Sequence, residues 1–284
     1  MPIRMEGRPL ARLIEAQLRT EIQRLKTEHL VHPCLASVLI GDDPASLTYQ
    51  RMQKRACDRI GMDFLPVQIP VKIDTGEVVR RIQELNNRRN VHGILLGHPV
   101  PKGIDEQACF HAIDTRKDVD GVNPTSFGHM ALGVFAYGGA TPRGMIHLLQ
   151  HYGIEISGKH AVVVGRSPIV GKPLGIMFLQ EQATVTICHS RTVNLRQHLQ
   201  QAEILAVAVG RERFIKAEWV PEGCVLLDAG FHPSGVGDVD PAAFAKCRAY
   251  TPVPGGIGPV TLATVLSQTV DAARRFGLRT IVSG

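Results

Sequence analysis

The chain has 284 residues, 44% hydrophobic and 20% charged, with a net charge of +6, which suits a globular protein of two domains. No apolar run reaches about 18 residues, so no transmembrane helix is expected. The basic residues are dispersed and only 5% of the chain is aromatic, which excludes a stacking platform for nucleic acid and leaves a general positive field suited to anionic small molecules.

The opening segment, MPIRMEGRPLARLIEAQ, reads as the start of an amphipathic helix, with apolar residues at helical spacing from Leu10 to Leu25. It lacks the apolar centre of a signal peptide, so a cytoplasmic protein is expected. A strand follows at Cys34–Ile40, a helix at Pro44–Ile60, a strand at Phe64–Ile69 and a helix at Thr75–Leu85. Gly93–Leu96 is a short buried strand that stops at Gly97-His98-Pro99. Ala136–Ala140 reads as a linker, after which Thr141 is expected to cap a helix whose first residue is Pro142. The second half repeats the alternation, with strands at Ala161–Val164, Thr184–Cys188, Ile204–Val209 and Cys224–Asp228 and a last helix at Pro259–Arg275. This alternation predicts an α/β protein with parallel sheets. The six cysteines, at 34, 57, 109, 188, 224 and 247, form no C-x-x-C pair. Reduced core cysteines are therefore expected, with no metal site.

The densest signal lies at 158–173, GKHAVVVGRSPIVGKP. A buried strand, a turn at Gly165-Arg166-Ser167 and Gly171 in the first turn of the next helix make a phosphate cradle, in which the helix N-terminus is expected to present unpaired N–H groups. The match to G-x-G-x-x-G is loose, because Ser167 stands at the second glycine, and an ordinary strand-to-helix turn is the alternative. The next strand ends at His189-Ser190-Arg191, without the carboxylate that favours a free ribose hydroxyl. Arg166, Ser190 and Arg191 point to NADP over NAD. In open α/β sheets ligands gather beyond the carboxyl ends of the strands. The segments there are GDDPASLTYQ, GHPVP with KDVDGVNP, AGFH with Gly230 and Phe231, and TPVPGGIGP.

Ser46-x-x-Tyr49, Lys117-Asp118-Val119-Asp120-Gly121, Thr141-Pro142-Arg143-Gly144, Gly165-Arg166-Ser167-x-x-Val170-Gly171 and Pro252-Val253-Pro254-Gly255-Gly256-Ile257-Gly258-Pro259 occur in one order. With them the whole chain resembles the bifunctional methylenetetrahydrofolate dehydrogenase/methenyltetrahydrofolate cyclohydrolase family. The resemblance implies a folate-binding catalytic domain over 1–139, completed by the C-terminal helix at about 262–284, and a Rossmann-type NADP-binding domain over 140–261, with a cleft between them. It implies tetrahydrofolate as the one-carbon carrier and NADP as cofactor. Substrate contacts would come from Ser46, Tyr49, Gly97, His98, Pro99, Asp120, Pro254, Gly255 and Gly256. Cofactor contacts would come from Thr141, Gly165, Arg166, Ser167, Val170, Gly171, Ser190, Arg191, Gly230 and Phe231. A homodimer associating through the nucleotide domains is likewise implied.

Three positions depart from the family pattern. Four residues after the tyrosine, on the same helix face, the family has a lysine that activates water for the cyclohydrolase step; this chain has Gln53. The neighbouring Lys54 is rotated by about 100° and is no simple replacement. The family reads Gly-Ile-Leu-Val-Gln-Leu-Pro-Leu-Pro after the short strand, and its glutamine supports the lysine. Here Gly97 stands for that glutamine and His98 for the following leucine. The catalytic candidates are thus Tyr49, Gln53, His98 and Asp120. The expected function is NADP-dependent 5,10-methylenetetrahydrofolate oxidation with cyclohydrolase activity weak or absent. The alternatives are a methylene-transfer enzyme without net redox that uses His98 as base, and a non-catalytic folate- or NADP-binding protein.

Overall fold

A computed structural model describes residues 1–277. The chain separates into two compact units, one made of Met1–Arg12 with Gly139–Thr261 and the other of Leu13–Gly138 with the segment from Leu262 onward. The sequence had assigned residues 1–12 to the folate-binding domain. They group instead with the nucleotide unit because β1 (Ile3–Arg4) pairs in parallel with β9 (Ala249–Tyr250), so the expected helix starts only at Gly7. A two-residue strand has no periodicity to read.

The catalytic unit is built on α1 (Gly7–His29), β2 (Cys34–Ile40), α2 (Pro44–Ile60), β3 (Asp63–Ile69), α3 (Thr75–Asn87) and β4 (Gly93–Leu96), followed by α4 (Glu106–Ala112) and α5 (Pro124–Ala131). Its sheet is parallel, in the order β3-β2-β4. β2 and β4 are buried along their full length, as continuous apolar runs in a parallel sheet require. α2 has strong end signals. Asp43 accepts from the Ser46 N–H, Pro44 opens the helix, and Gly61 closes it at φ 74°. After α4 the chain returns alongside β4 as the Lys117–Gly121 loop, with Ile94 N–H donating to Lys117 O at 2.8 Å. Asp118, fully buried, ties that loop by accepting from the backbone N–H groups of Val122 and Asn123 at 3.0 and 2.9 Å. Burial pushes its carboxyl up to about 6. From α9 (Ile257–Ala272), Gln268 Nε2 donates to Val119 O and Gly138 O, so the end of the chain helps to hold this loop. After Ala272 the helix passes into a π-turn at Ala273–Gly277, and the remainder of the expected helix, 278–284, lies outside the described residues.

The nucleotide unit contains α6 (Ala140–His151), β5 (His160–Val164), α7 (Gly171–Gln180), β6 (Thr184–Cys188), α8 (Leu195–Leu199), β7 (Ile204–Val207) and β8 (Val225–Asp228). Its six strands lie in the order β1-β9-β8-β7-β5-β6, all parallel. Val162, Leu205 and Leu226 from three adjacent strands share one buried cluster. α6 starts at Ala140, with Gly139 at the cap position, so Thr141 and Pro142 lie inside the first turn rather than at its edge. A Cβ on Gly139 would press on Ile169 O and the Pro142 ring at 3.1 and 3.2 Å. All six cysteines are buried and free. No helix among the described residues is long and apolar enough to cross a membrane.

Candidate active site

In the nucleotide unit, β5 lies between β6 and β7, so the chain leaves it in opposite directions and a crevice opens at its carboxyl end. Gly165 stands there at φ 131°, and a Cβ on it would collide with Ala208 O at the end of the neighbouring strand. A Cβ on Gly171 would collide with Gly165 O. Both glycines are therefore imposed by the backbone. Gly175, which the sequence reading missed, packs α7 onto β6 against the Ile187 side chain. Its signal was a glycine one helical turn beyond Gly171.

Ser167 corrects the expectation for the helix end. Its Oγ accepts from the N–H groups of Val170 and Gly171 at 3.1 and 3.3 Å, and its carbonyl accepts from Lys172 N–H at 3.1 Å. Pro173 has no N–H. The N–H groups at the start of α7 are thus engaged within the loop, because the Ser167 hydroxyl, three residues before the cap residue Val170, takes two of them. Arg166 is exposed beside them, as are Ser190 and Arg191 at the end of β6. That turn is shaped by His189, whose Nδ1 accepts from Arg191 N–H at 3.1 Å and whose own N–H donates to Thr192 Oγ at 2.8 Å. Two exposed guanidinium groups, a glycine-lined turn and no carboxylate at the end of β6 fit a dinucleotide carrying a ribose phosphate. Thr141 Oγ lies 3.3 Å from Thr261 Oγ. Gly230 is held in its turn by Asp228, and Phe231 is 76% exposed. Pro254, Gly255 and Gly256 also belong to this unit. Gly255 has φ 107° and its carbonyl accepts from Gly7 N–H at 2.9 Å, while a Cβ on Gly256 would press on Pro252 O and Thr251.

In the catalytic unit, the carboxyl ends of β2 and β4 and the N-terminal half of α2 frame the second candidate region. Ser46 Oγ donates to Asp43 at 2.9 Å, so this hydroxyl serves the helix cap. Those hydrogen bonds hold the Asp43 carboxyl below the usual carboxylate range. Tyr49 and Gln53 lie one turn apart on α2. Tyr49 is 39% exposed. Its hydroxyl is nonetheless desolvated by its surroundings and faces the charge of Asp120, which together push it up to about 12. Gln53 is only 3% exposed, and its Oε1 has no hydrogen-bond partner among the described residues. Lys54 points away from this face and pairs with Asp58 at 2.7 Å.

Gly97 N–H donates to Val38 O at 2.8 Å, which places it against the central strand. The cis His98–Pro99 peptide follows. His98 Nε2 lies 3.9 Å from Asp120 Oδ2, an electrostatic contact too long for a hydrogen bond, and the imidazole packs edge-on against Phe110. Within this unit, then, α2 brings Tyr49 and Gln53 together and the β4 loop meets Asp120 through His98. The arrangement offers an acceptor, an imidazole and a carboxylate, and among the described residues no lysine ammonium.

Residues 5–120 match the family described as "Tetrahydrofolate dehydrogenase/cyclohydrolase, catalytic domain", and residues 139–276 match its "NAD(P)-binding domain". The chain is similar to the "Bifunctional protein FolD" of Saccharophagus degradans, with 54% identity over 95% of this chain and 97% of that protein. It superposes with a TM-score of 0.93 on the bifunctional FolD dehydrogenase/cyclohydrolase of Campylobacter jejuni, at 37% identity over 96% of this chain and 99% of that one. A methylenetetrahydrofolate dehydrogenase from Bombyx mori gives a TM-score of 0.91 at 31% identity, with both chains covered in full. The chain belongs to the tetrahydrofolate dehydrogenase/cyclohydrolase family.

Proposed function

We propose that this protein is an NADP-dependent 5,10-methylenetetrahydrofolate dehydrogenase of folate one-carbon metabolism whose cyclohydrolase activity is weak or absent. Family membership and the glycine-lined turn at Gly165–Gly171 support the dehydrogenase half. When bound, NADP would supply the hydride acceptor and the folate's own nitrogens would stabilise the resulting cation, so the protein's part is to orient the two molecules. Arg166, Ser190 and Arg191 would hold the ribose phosphate, the two arginines by charge-assisted hydrogen bonds. Asp120 accepts from the amino edge of the pterin, and Tyr49 lines its ring.

One observation carries the restriction on hydrolysis. The position facing the site on α2 is a buried, neutral Gln53, while the adjacent cation, Lys54, is turned to solvent and neutralised by Asp58. Hydrolysis of methenyltetrahydrofolate needs a group that takes a proton from water as it attacks. An amide holds that water but does not accept its proton. The test follows NADPH formation from methylenetetrahydrofolate and, separately, the decay of added methenyltetrahydrofolate. Reduction of NADP with little catalysed decay is expected. Rapid decay that His98→Ala abolishes would mean that the imidazole beside Asp120 has replaced the lysine. The same reading carries a homodimer formed through the nucleotide units, which a monomeric mass at micromolar concentration would exclude.

A further inference from the structure

At the amino ends of its strands the catalytic unit has a pocket of about 160 Å³, roughly ten times the space one water requires. Arg88, Arg89 and His92, on the segment leading from α3 into β4, line it together with Gly277. Gly97 follows the carboxyl end of β4 and α2 follows that of β2, so this pocket lies at the other end of the sheet from Tyr49 and Gln53. Arg116 and Lys117 also line it, and no carboxylate does.

The four cations divide into two kinds. Arg116 is committed to Asp114, with Nε and Nη2 on its carboxylate. Lys117 Nζ donates to the carbonyls of Leu85, Asn86 and Arg88 at 3.1, 2.7 and 2.7 Å. Those carbonyls end α3, and the ammonium offsets the negative pole that would repel an anion there. Arg88 and Arg89 are exposed, and their guanidinium groups form no ion pair or hydrogen bond among the described residues. Their donors are uncommitted.

His92 adds a donor from inside. The residue is only 8% exposed, and its Nδ1 accepts from Cys34 N–H at 3.2 Å. The ring is neutral near pH 7, because desolvation and then Lys117 push it down to about 4 against a smaller effect of Asp63. The proton of the neutral ring is therefore on Nε2. That N–H has no hydrogen-bond partner among the described residues. It borders Gly277, on which a built Cβ would lie 3.1 Å from Nε2, and both residues line the pocket. A buried polar N–H without a partner, beside a cavity rimmed by two uncommitted guanidinium groups, calls for an anion that accepts at several oxygens. A phosphate group has them, with the charge and fork geometry that guanidinium prefers.

We propose that this pocket binds a phosphate group, as the free ion or a phosphate monoester, between His92 Nε2–H and the guanidinium groups of Arg88 and Arg89. The proposal makes no use of the nucleotide reading. Inorganic phosphate and glycerol 3-phosphate would be titrated calorimetrically at neutral pH and constant ionic strength, with and without saturating NADPH. Saturable binding that NADPH leaves unchanged is expected, about tenfold weaker in Arg88→Gln/Arg89→Gln and about tenfold weaker in His92→Asn, as for hydrogen bonds to a charged group. Asparagine keeps an acceptor for Cys34 and removes no charge, but it is too short to donate where Nε2 stood. Tighter binding of the monoester would make a phosphorylated metabolite the occupant, and tighter binding of the ion would make it free phosphate. Absence of saturable binding in wild type would overturn the proposal. Phosphate that NADPH displaces would belong to the nucleotide unit and overturn it too. A loss in the arginine variant with none in a cooperatively melting His92→Asn would leave only a diffuse positive field. Should His92→Asn fail to fold, the imidazole ¹⁵N resonance of His92 Nε2 in wild type decides: it must move on titration with phosphate, and a static signal would overturn the site.

Discussion

Gly165 and Gly97 each follow the last residue of a parallel strand, at β5 and β4, yet only one is obliged to be glycine. Gly165 has a positive φ and no room for a Cβ. A Cβ on Gly97 would sit 3.4 Å from Val38 O and 3.5 Å from Leu39 Cδ1, which is ordinary contact, and its φ is not in the left-handed region. The first glycine is a requirement of the scaffold and says little about which reaction runs there. The second is free to vary, so the missing side chain at Gly97 carries information about chemistry. The same contrast separates Ser167, whose hydroxyl is spent on the N–H groups of Val170 and Gly171, from Gln53, whose side-chain carbonyl is buried with no hydrogen-bond partner among the described residues.

The largest effect should come from refilling the permissive positions. Gln53→Lys with Gly97→Gln is expected to raise methenyltetrahydrofolate hydrolysis by about 10²-fold or more, the usual worth of a placed acid–base group. Gln53→Lys alone should recover less, since the lysine would lack its supporting amide. If the double variant gains nothing over wild type, Gly97 and Gln53 are not the positions that limit hydrolysis.

Substituting the two glycines tests the contrast directly. Gly165→Ala should lower the unfolding free energy by about 3 kcal/mol through strain and collision, with a matching fall in Tm. Gly97→Ala should shift it by less than about 0.5 kcal/mol. Similar losses in both would erase the distinction between an obligatory and a permissive turn.

Acid should act with opposite sign on two buried groups, one in each unit. In the catalytic unit His92 is buried, accepts from Cys34 N–H on Nδ1 at 3.2 Å, and is pushed down to about 4 by desolvation and then by Lys117. Its folded value lies below its unfolded one, so its contribution is complete above about 6.5 and is lost as pH falls toward 4. In the nucleotide unit Asp228 is raised to about 6 by burial, against the hydrogen bonds from Asp238, Gly230 and Val239. Its contribution is complete below about 4 and is lost as pH rises through 6. Chemical denaturation of wild type and His92→Asn, which keeps an acceptor for Cys34, should therefore diverge below pH 6.5, with wild type losing up to about 3 kcal/mol more by pH 4. Parallel pH profiles would show that His92 is not the buried acid sensor of its unit.

The smallest effect concerns the exposed cations. Arg166→Ala with Arg191→Ala should raise the KM for NADP by about tenfold while changing that for NAD about twofold at most, as expected for charged hydrogen bonds at an exposed site. Equal changes for the two cofactors would detach both arginines from the ribose phosphate.

Much of this was legible in the residues. Continuous apolar runs at Cys34–Ile40 and Gly93–Leu96 state that those strands are buried on both faces, and the Asp43-Pro44 start with Gly61 at the end delimits α2 almost by itself. Helical spacing alone put Tyr49 and Gln53 on one face and turned Lys54 off it, because the angle per residue is a property of the backbone. Other features had no local signature. Ser167 reads as a failed glycine until its hydroxyl is seen on the N–H groups of Val170 and Gly171. Ile3–Arg4 reads as a helix start until β9 pairs with it. Asp238 meets a turn 29 residues earlier in the chain, and only the order of β7 and β8 in the sheet brings them together. Periodicity and end signals fix which face of an element is buried, since those depend on neighbours within a few residues. Which elements become neighbours depends on sheet order and packing. There alone His232 meets the carboxylate of Asp238 at 2.9 Å, and Gly165 the carbonyl that forbids it a side chain.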